Sequence, residues 1–291
     1  MVTSRHRSLI LGIVPFAVIS LLALQSGRRA PNTAGPLSDP FAAGWMLTDT
    51  NGDGIIDFVA GKIVTPAQPT AVENAAAADV AARVGFATTG LTPPIVISAE
   101  GDRNDGPRIW IGRGAVPSQY LADADRNAAR LDAEEGGVFA IGGGLAVLGR
   151  DDAGLLTAAE TFAARAPFIW KTPGDRLSAI GDAIEQATPG ATPRIAGITY
   201  LKGKSGVNRA LVDVQTDITS AVLDTALKSG RLLFVHQLIA RKNGAEVTAT
   251  STQPLPAIQA LPVEAAAEAG AVGGGGAGGG AAEGGPQGHS A

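Results

Sequence analysis

Short apolar runs alternate with longer amphipathic stretches along most of this chain. Ile55, Ile56, Phe58, Val59, Ile63 and Val64 predict a strand, interrupted at Gly61. The segment "QPTAVENAAAADVAARVG" then takes on helical periodicity. Thr70 is placed as its N-cap, Glu73 follows three positions later as in a capping box, and Gly85 ends it. "PPIVIS" and "RIWIG" (108–112) predict two further strands, and "SQYLADADRNAARL" (118–131) predicts a helix. "GGVFAIGGGLAVLG" predicts a hairpin turning at Gly142, Gly143 and Gly144.

The best-formed helix is predicted in "RDDAGLLTAAETFAARAP". Asp151 or Asp152 caps it, Leu155, Ala159, Phe162 and Ala163 line one face, and Pro167 stops it. Residues 173–186 predict another helix, and 194–201 and 207–214 predict strands joined by "KGKSG". "DITSAVLDTALKSG" predicts a helix ended by Gly230, and "RLLFVHQLI" a buried strand or short helix. This alternation predicts an α/β fold, a layered mixed sheet with helices packed on it.

The two ends differ from the middle. Arg5, His6 and Arg7 precede an apolar run from Leu9 to Leu24, the pattern of an export signal. Retention of residues 1–30 as an N-terminal membrane anchor is the alternative, although a spanning helix usually needs about 20 apolar residues. Residues 31–44, rich in Pro, Gly, Ala and Ser, read as a linker. An α/β domain is expected over 45–170, with a second α/β subdomain or a continuation over 171–256. Residues 257–291 are Ala- and Gly-rich, with "GGGGAGGG" at 273–280, and read as a disordered tail.

Composition narrows the chemistry. There is no cysteine among the 291 residues, which removes disulfides, thiolate metal sites and a cysteine nucleophile. Of the three histidines, His6 and His289 fall in the end segments, and His236 lies in an apolar run, where a partly buried, hydrogen-bonded side chain is expected. A net charge of -4 argues against a nucleic-acid partner. "LKGKSG" lacks the first glycine of a phosphate loop, since Ile198 stands there, and reads as a basic turn. The acid pairs Glu134–Glu135 and Asp151–Asp152 are adjacent in sequence, unsuited to carboxyls that must face each other across a sugar. Trp110 alternates within an apolar strand and is expected in the core, whereas Trp170 is expected at the surface.

Ile109–Gly112, Val138–Arg150 and Asp151–Ala164 succeed one another as an "I-x-I-G" strand, a glycine-turned hairpin and a helix begun by "G-L". In that order they resemble the small α/β accessory domain that precedes the barrel in family-20 glycoside hydrolases and α-glucuronidases. The resemblance covers about a third of the chain. It implies a βαβ-type sheet with helices on one face, and it brings no catalytic residues.

"DTNGDGIIDF" holds the most concentrated chemistry. Asp49, Asn51, Asp53 and Asp57 supply side-chain oxygens at loop positions 1, 3, 5 and 9, and position 7 offers the carbonyl of Ile55. Gly54 stands where a calcium loop turns sharply. Ala60 replaces the closing glutamate of an EF-hand, which excludes that motif. The stretch is similar to the calcium loops of dockerins and integrin-type repeats, in a single copy. A structural calcium on Asp49, Asn51, Asp53, Ile55 and Asp57 is therefore the expectation, with an acidic turn as its rival. The whole predicts a secreted, periplasmic or cell-surface protein that is non-catalytic and works as a binding or scaffold module. Its expected partner is a cell-envelope protein or polysaccharide, or further copies of itself by self-assembly, with no nucleic acid and with membrane contact only through an uncleaved N-terminal segment. The alternatives are an accessory piece of a polysaccharide-processing hydrolase and a calcium-dependent surface-layer protein.

Overall fold

The structure, a computed structural model, describes residues 36–258. The predicted export segment, residues 31–35 of the predicted linker and residues 259–291 of the predicted tail lie outside the described residues. Within them the α/β expectation holds. Strands and helices follow one another as β1 (Leu47–Thr48), β2 (Phe58–Val59), β3 (Lys62–Thr65), α1 (Ala71–Phe86), β4 (Val96–Ser98), β5 (Arg108–Ile111) and α2 (Leu121–Ala128). Then come β6 (Glu135–Ile141), β7 (Gly144–Gly149), α3 (Asp152–Arg165), α4 (Ser178–Ala187), β8 (Arg194–Leu201), β9 (Val207–Asp213), α5 (Ser220–Leu227), β10 (Val235–Lys242) and β11 (Ala245–Thr250).

Nine strands form one mixed sheet in the order β11-β10-β9-β8-β6-β7-β5-β3-β4, and β1 and β2 make a separate ribbon. Strands β7, β5, β3 and β4 run parallel to one another. Strand β6 is antiparallel to both β7 and β8, and β9 is antiparallel to β8. Strand β10 returns parallel to β9, with α5 between them in the chain, and β11 closes the edge as a hairpin with β10. Because β8 pairs with β6, the strands on either side of residue 170 belong to one sheet.

Strand alternation sends Ile109 and Ile111 into one core and Trp110 into the other. The larger core lies under α1, α3, α4 and α5, with Val80, Phe162, Ile180 and Leu223 facing Ile63, Val147, Ile198 and Ala210. The smaller core lies on the opposite face, where Ala124 of α2 meets Trp110, Phe139 and Leu148. Helix α1 starts as expected: the Thr70 hydroxyl accepts the Glu73 N–H at 3.1 Å, and the Glu73 carboxylate accepts the Thr70 N–H at 2.8 Å. Helix α3 sits directly on β6, because both contact residues are glycines. A Cβ on Gly154 would stand 2.2 Å from the Glu135 carbonyl oxygen, and one on Gly136 would stand 2.0 Å from that of Gly154.

Three expectations are corrected. The predicted linker contributes Leu37 and Phe41 to the larger core, where the Phe41 ring lies 5.2 Å from that of Phe162. Its Pro/Gly/Ala composition marks irregular backbone but does not forbid burying the two large side chains it carries. The strand expected from Ile55 begins only at Phe58, because side-chain caps bend residues 49–57 and leave Ile55 54% exposed. The helix expected over 118–131 is a 3-10 turn, Ser118–Tyr120, followed by the shorter α2.

Candidate functional site

The acidic loop is the connection between β1 and β2, whose ribbon pairs Leu47 with Val59 and Thr48 with Phe58. Each carboxylate is engaged with the loop's own backbone or hydroxyls. Asp49 accepts the N–H groups of Gly52 at 2.7 Å and Gly54 at 2.8 Å. Asp53 accepts the Ile55 N–H at 2.7 Å, and the Asn51 carbonyl oxygen accepts the Asp53 N–H at 3.1 Å. Asp57 accepts the Thr50 hydroxyl at 2.7 Å and the Thr50 N–H at 2.9 Å. Those donors, the hydroxyl first, hold the Asp57 carboxyl below the ordinary carboxylate range. Glycine at positions 52 and 54 permits the turns, with φ of +76° and +89°.

Asp49, Asn51, Asp53, Ile55 and Asp57 thus share one exposed loop, but the three carboxylates turn to separate amide donors. Among the described residues, no group of three or more Asp, Glu or His side chains is placed to hold a metal ion. The loop as it stands does not fit calcium as a formed cage.

The other acids are used structurally. Asp151 caps α3 by accepting the Gly154 N–H at 2.8 Å and also takes the Glu134 N–H at 2.9 Å. These two amides, that of Glu134 the stronger, depress its carboxyl below the usual range. Glu134 turns outward to Lys202 at 2.9 Å. Glu135 is completely buried; it accepts from Thr199 Oγ1, Asn208 Nδ2 and the Asp132 N–H, and Arg209 Nη1 lies 3.1 Å away as an ion-pair partner. With both oxygens engaged twice, it joins β6 to β8 and β9 rather than facing a substrate. Lys202–Ser205 form the turn from β8 to β9, and Gly142 and Gly143 make the β6–β7 turn at positive φ. Trp110 is buried as expected. Trp170 is half-buried, stacked on Phe234 with ring centroids 4.1 Å apart. His236 is half-buried, but its Nδ1 has no hydrogen-bond partner.

A cavity of about 660 Å³ forms a groove that no stretch of sequence announced. One wall is α2 and the other is the β10–β11 hairpin. Its floor is the sheet end where β6, β9 and β10 all finish, at Ile141, Asp213 and Lys242. Arg130 spans the groove and grips Glu246 through both Nη atoms, at 2.8 and 2.6 Å. Asp213 holds Arg241 by its Nε at 2.8 Å, and Asp123 is paired with Arg126. The groove's three carboxylates, Asp123, Asp213 and Glu246, are thus each tied to a cation. Its residues come from 123–130, 140–141, 213–215 and 241–246, and only pairing of β9 with β10 beneath α2 brings them together.

No family model matches the chain, and no curated protein matches it in sequence.

Proposed function

We propose that this is an exported, non-catalytic binding or scaffold protein of the cell envelope, with a cell-envelope polysaccharide or protein as its partner. The observation that carries the reading is the groove between α2 and the β10–β11 hairpin. Its carboxylates are neutralised by ion pairs while amide and guanidinium donors line its walls, a surface suited to holding a polar ligand rather than transforming it. The basic start and apolar run before Ala30 direct the chain out of the cytoplasm.

Fractionation with co-sedimentation tests the reading. A reporter fused after Ala30 is expected outside the cytoplasm, and the full chain is expected to sediment with cell-envelope material. A reporter active only in the cytoplasm, or a chain that stays in the supernatant, overturns it.

A second reading, an accessory domain of a polysaccharide-processing enzyme, draws on the order β5, β6–β7 hairpin, α3. It predicts the same sedimentation and a requirement for a separate catalytic partner.

Calcium enters the proposal as an ion that gathers the loop. Binding would draw Asp49, Asp53 and Asp57 away from their amides, so affinity belongs in the extracellular range, about 10⁻⁵ to 10⁻³ M. Millimolar calcium should raise the melting temperature, Asp53→Ala should abolish the increase, and calcium-induced light scattering would reveal self-assembly. An unchanged melting curve reduces the loop to an acidic turn.

A further inference from the structure

A hollow separate from the α2–hairpin groove gathers three aromatic rings that are scattered in the sequence. Trp45 precedes β1, Trp110 stands in β5 and Tyr120 ends the turn before α2. With Asn104, Arg108 and the β6–β7 turn they line a pocket of about 350 Å³. Trp110 is 1% exposed, and its ring centroid lies 5.9 Å from that of Tyr120. The turn is shaped around these rings. Gly142 and Gly143 take positive φ, as a tight hairpin turn requires, but Gly144 does not. Glycine at 144 answers to packing instead, since a Cβ there would stand 2.6 Å from the Trp110 ring. A Cβ on Gly142 would stand 2.3 Å from the Tyr120 ring.

Polar groups here are left unused by the fold. The Trp110 indole N–H is buried and has no hydrogen-bond partner among the described residues. Buried donors are nearly always paired, so an orphan in the lining of a pocket points to an acceptor supplied from outside. The Tyr120 hydroxyl, the Trp45 indole N–H and the Asn104 carboxamide make no hydrogen bond among the described residues either. Arg108 is the one charged side chain in the lining, and it is spent: Asp102 holds its Nε and Asp105 its Nη2, both at 2.7 Å. With no free charge to meet it, an ionic ligand gains nothing in this pocket. The Trp110 and Tyr120 planes meet at 44°, which leaves no parallel slot for a flat base between them. A proline-rich peptide offers chiefly carbonyl acceptors, whereas an amide and a phenol both donate and accept. A sugar ring with equatorial substituents supplies what is missing: a flat face of axial C–H bonds, and hydroxyls around its edge that donate and accept.

We infer that the pocket between Trp45, Trp110 and Tyr120 holds one uncharged, gluco-configured sugar unit of a glycan. Its apolar face lies on the half-buried Trp45 and Tyr120 rings, which part to let a sugar oxygen accept from the Trp110 indole N–H. Asn104, exposed at the rim, takes a neighbouring hydroxyl. This rests on the binding-protein reading and names its sugar class. The volume of about 350 Å³ lies at the lower end of ligand sites, roughly 300–1,000 Å³.

The test is titration of the full nitrogen-15-labelled chain with cellotriose, followed by nuclear magnetic resonance. The sequence has three tryptophans, so the spectrum carries three indole N–H signals, assigned by Trp45→Phe, Trp110→Phe and Trp170→Phe. Cellotriose should shift the Trp45 and Trp110 signals and leave that of Trp170, which is stacked on Phe234 just before β10. Sorbitol, which has the hydroxyls without the ring, should bind at least about tenfold more weakly, and decaproline likewise. Trp45→Ala should weaken cellotriose binding by about tenfold. Asn104→Gly keeps the backbone at its φ of 51° and removes only the carboxamide. It should weaken binding about threefold while leaving the melting temperature unchanged. The inference is overturned by an unmoved Trp110 signal at millimolar cellotriose, by an equal shift of Trp170, or by sorbitol or decaproline binding as well as cellotriose. Unaltered binding in both Trp45→Ala and Asn104→Gly overturns it too. If the chain sediments with envelope material while the Trp110 signal stays fixed, the pocket is wrong and the binding-protein reading stands. A wild-type chain that stays in the supernatant strikes the reading itself.

Discussion

The two halves of the sheet are built to different rules. Strands β7, β5 and β3 are covered on both faces: α1 and α3 lie on one, and α2 with the short turns leading into it lies on the other. Their residues are accordingly apolar without alternation, and Ile109, Trp110 and Ile111 are all at most 1% exposed. Strands β9, β10 and β11 have helices on one face only. Val247 and Ala249 of β11 turn toward α5, while Glu246, Thr248 and Thr250 turn out to solvent. The closed half is sealed by packing on both faces, and the open half leaves polar side chains such as Gln215 and Asn243 without a hydrogen bond among the described residues. The groove lies where α2 stops covering the sheet.

Glu135 sits at the seam and offers the strongest way to break this division. Glu135→Ala removes the buried acceptor of Thr199 and Asn208 and leaves Arg209 with only Asp132 and the Arg130 carbonyl. A loss of about 3–5 kcal/mol is expected, the usual result of removing one member of a buried ion pair. Chemical denaturation measures it, and a loss below about 1 kcal/mol would mean that the two halves are joined by packing alone.

The closed half answers to packing. Ile109→Ala, in a completely buried position of β5, should cost about 2–5 kcal/mol. The same denaturation curves check it. A loss near zero would show that β5 is not the centre of the core.

Most of the closed half was legible in the sequence. Continuous runs such as "RIWI" and "GGVFAIGGGLAVLG" permit few readings other than buried strands around a glycine turn, and Thr70–Glu73 announces a helix start. The open half was harder. "AEVTAT" contains one large apolar residue, so β11 carried no strand signal, and "RLLFVHQLI" fitted strand and helix alike. The acidic loop was found, because its residues are contiguous, but its carboxylate directions depend on amides whose positions no spacing fixes. The groove was not found at all. Asn127, Gln215 and Arg241 each read in the sequence as ordinary solvent-facing polar residues, and only the topology makes neighbours of them.

Asp151 should show a smaller, pH-dependent effect at the start of α3. Asp151→Ala removes the cap and should cost about 0.5–2 kcal/mol at neutral pH. Because the folded-state carboxyl is held below its ordinary value, its contribution is fully present above that value and is lost as pH falls through the lowered one. The difference between wild type and Asp151→Ala should therefore shrink in acid, below about pH 4. A constant difference from pH 7 to pH 2 would show that the capping bonds are not what depresses this group.

The smallest effect belongs to the solvent face of the open half. Thr248 is exposed on edge strand β11, opposite Ile239 of β10, and no helix lies above it. Its hydroxyl makes no hydrogen bond among the described residues, so Thr248→Ala removes little beyond a β-branched side chain's preference for a strand. The expected change is within about 0.5 kcal/mol. That near-silence is informative because Ile239, its neighbour in register, is 8% exposed and lies on the same face. Arg130 reaches across this face to Glu246, so burial of Ile239 is assigned to that arch and to the adjoining strands rather than to Thr248. A double mutant of Arg130→Ala with Thr248→Ala separates the two. Additive effects are expected if Arg130 alone shelters the face. A loss from Thr248→Ala above about 1 kcal/mol, or strong coupling between the two substitutions, would mean that the open half is covered by something other than the arch, and the distinction between the halves would fail.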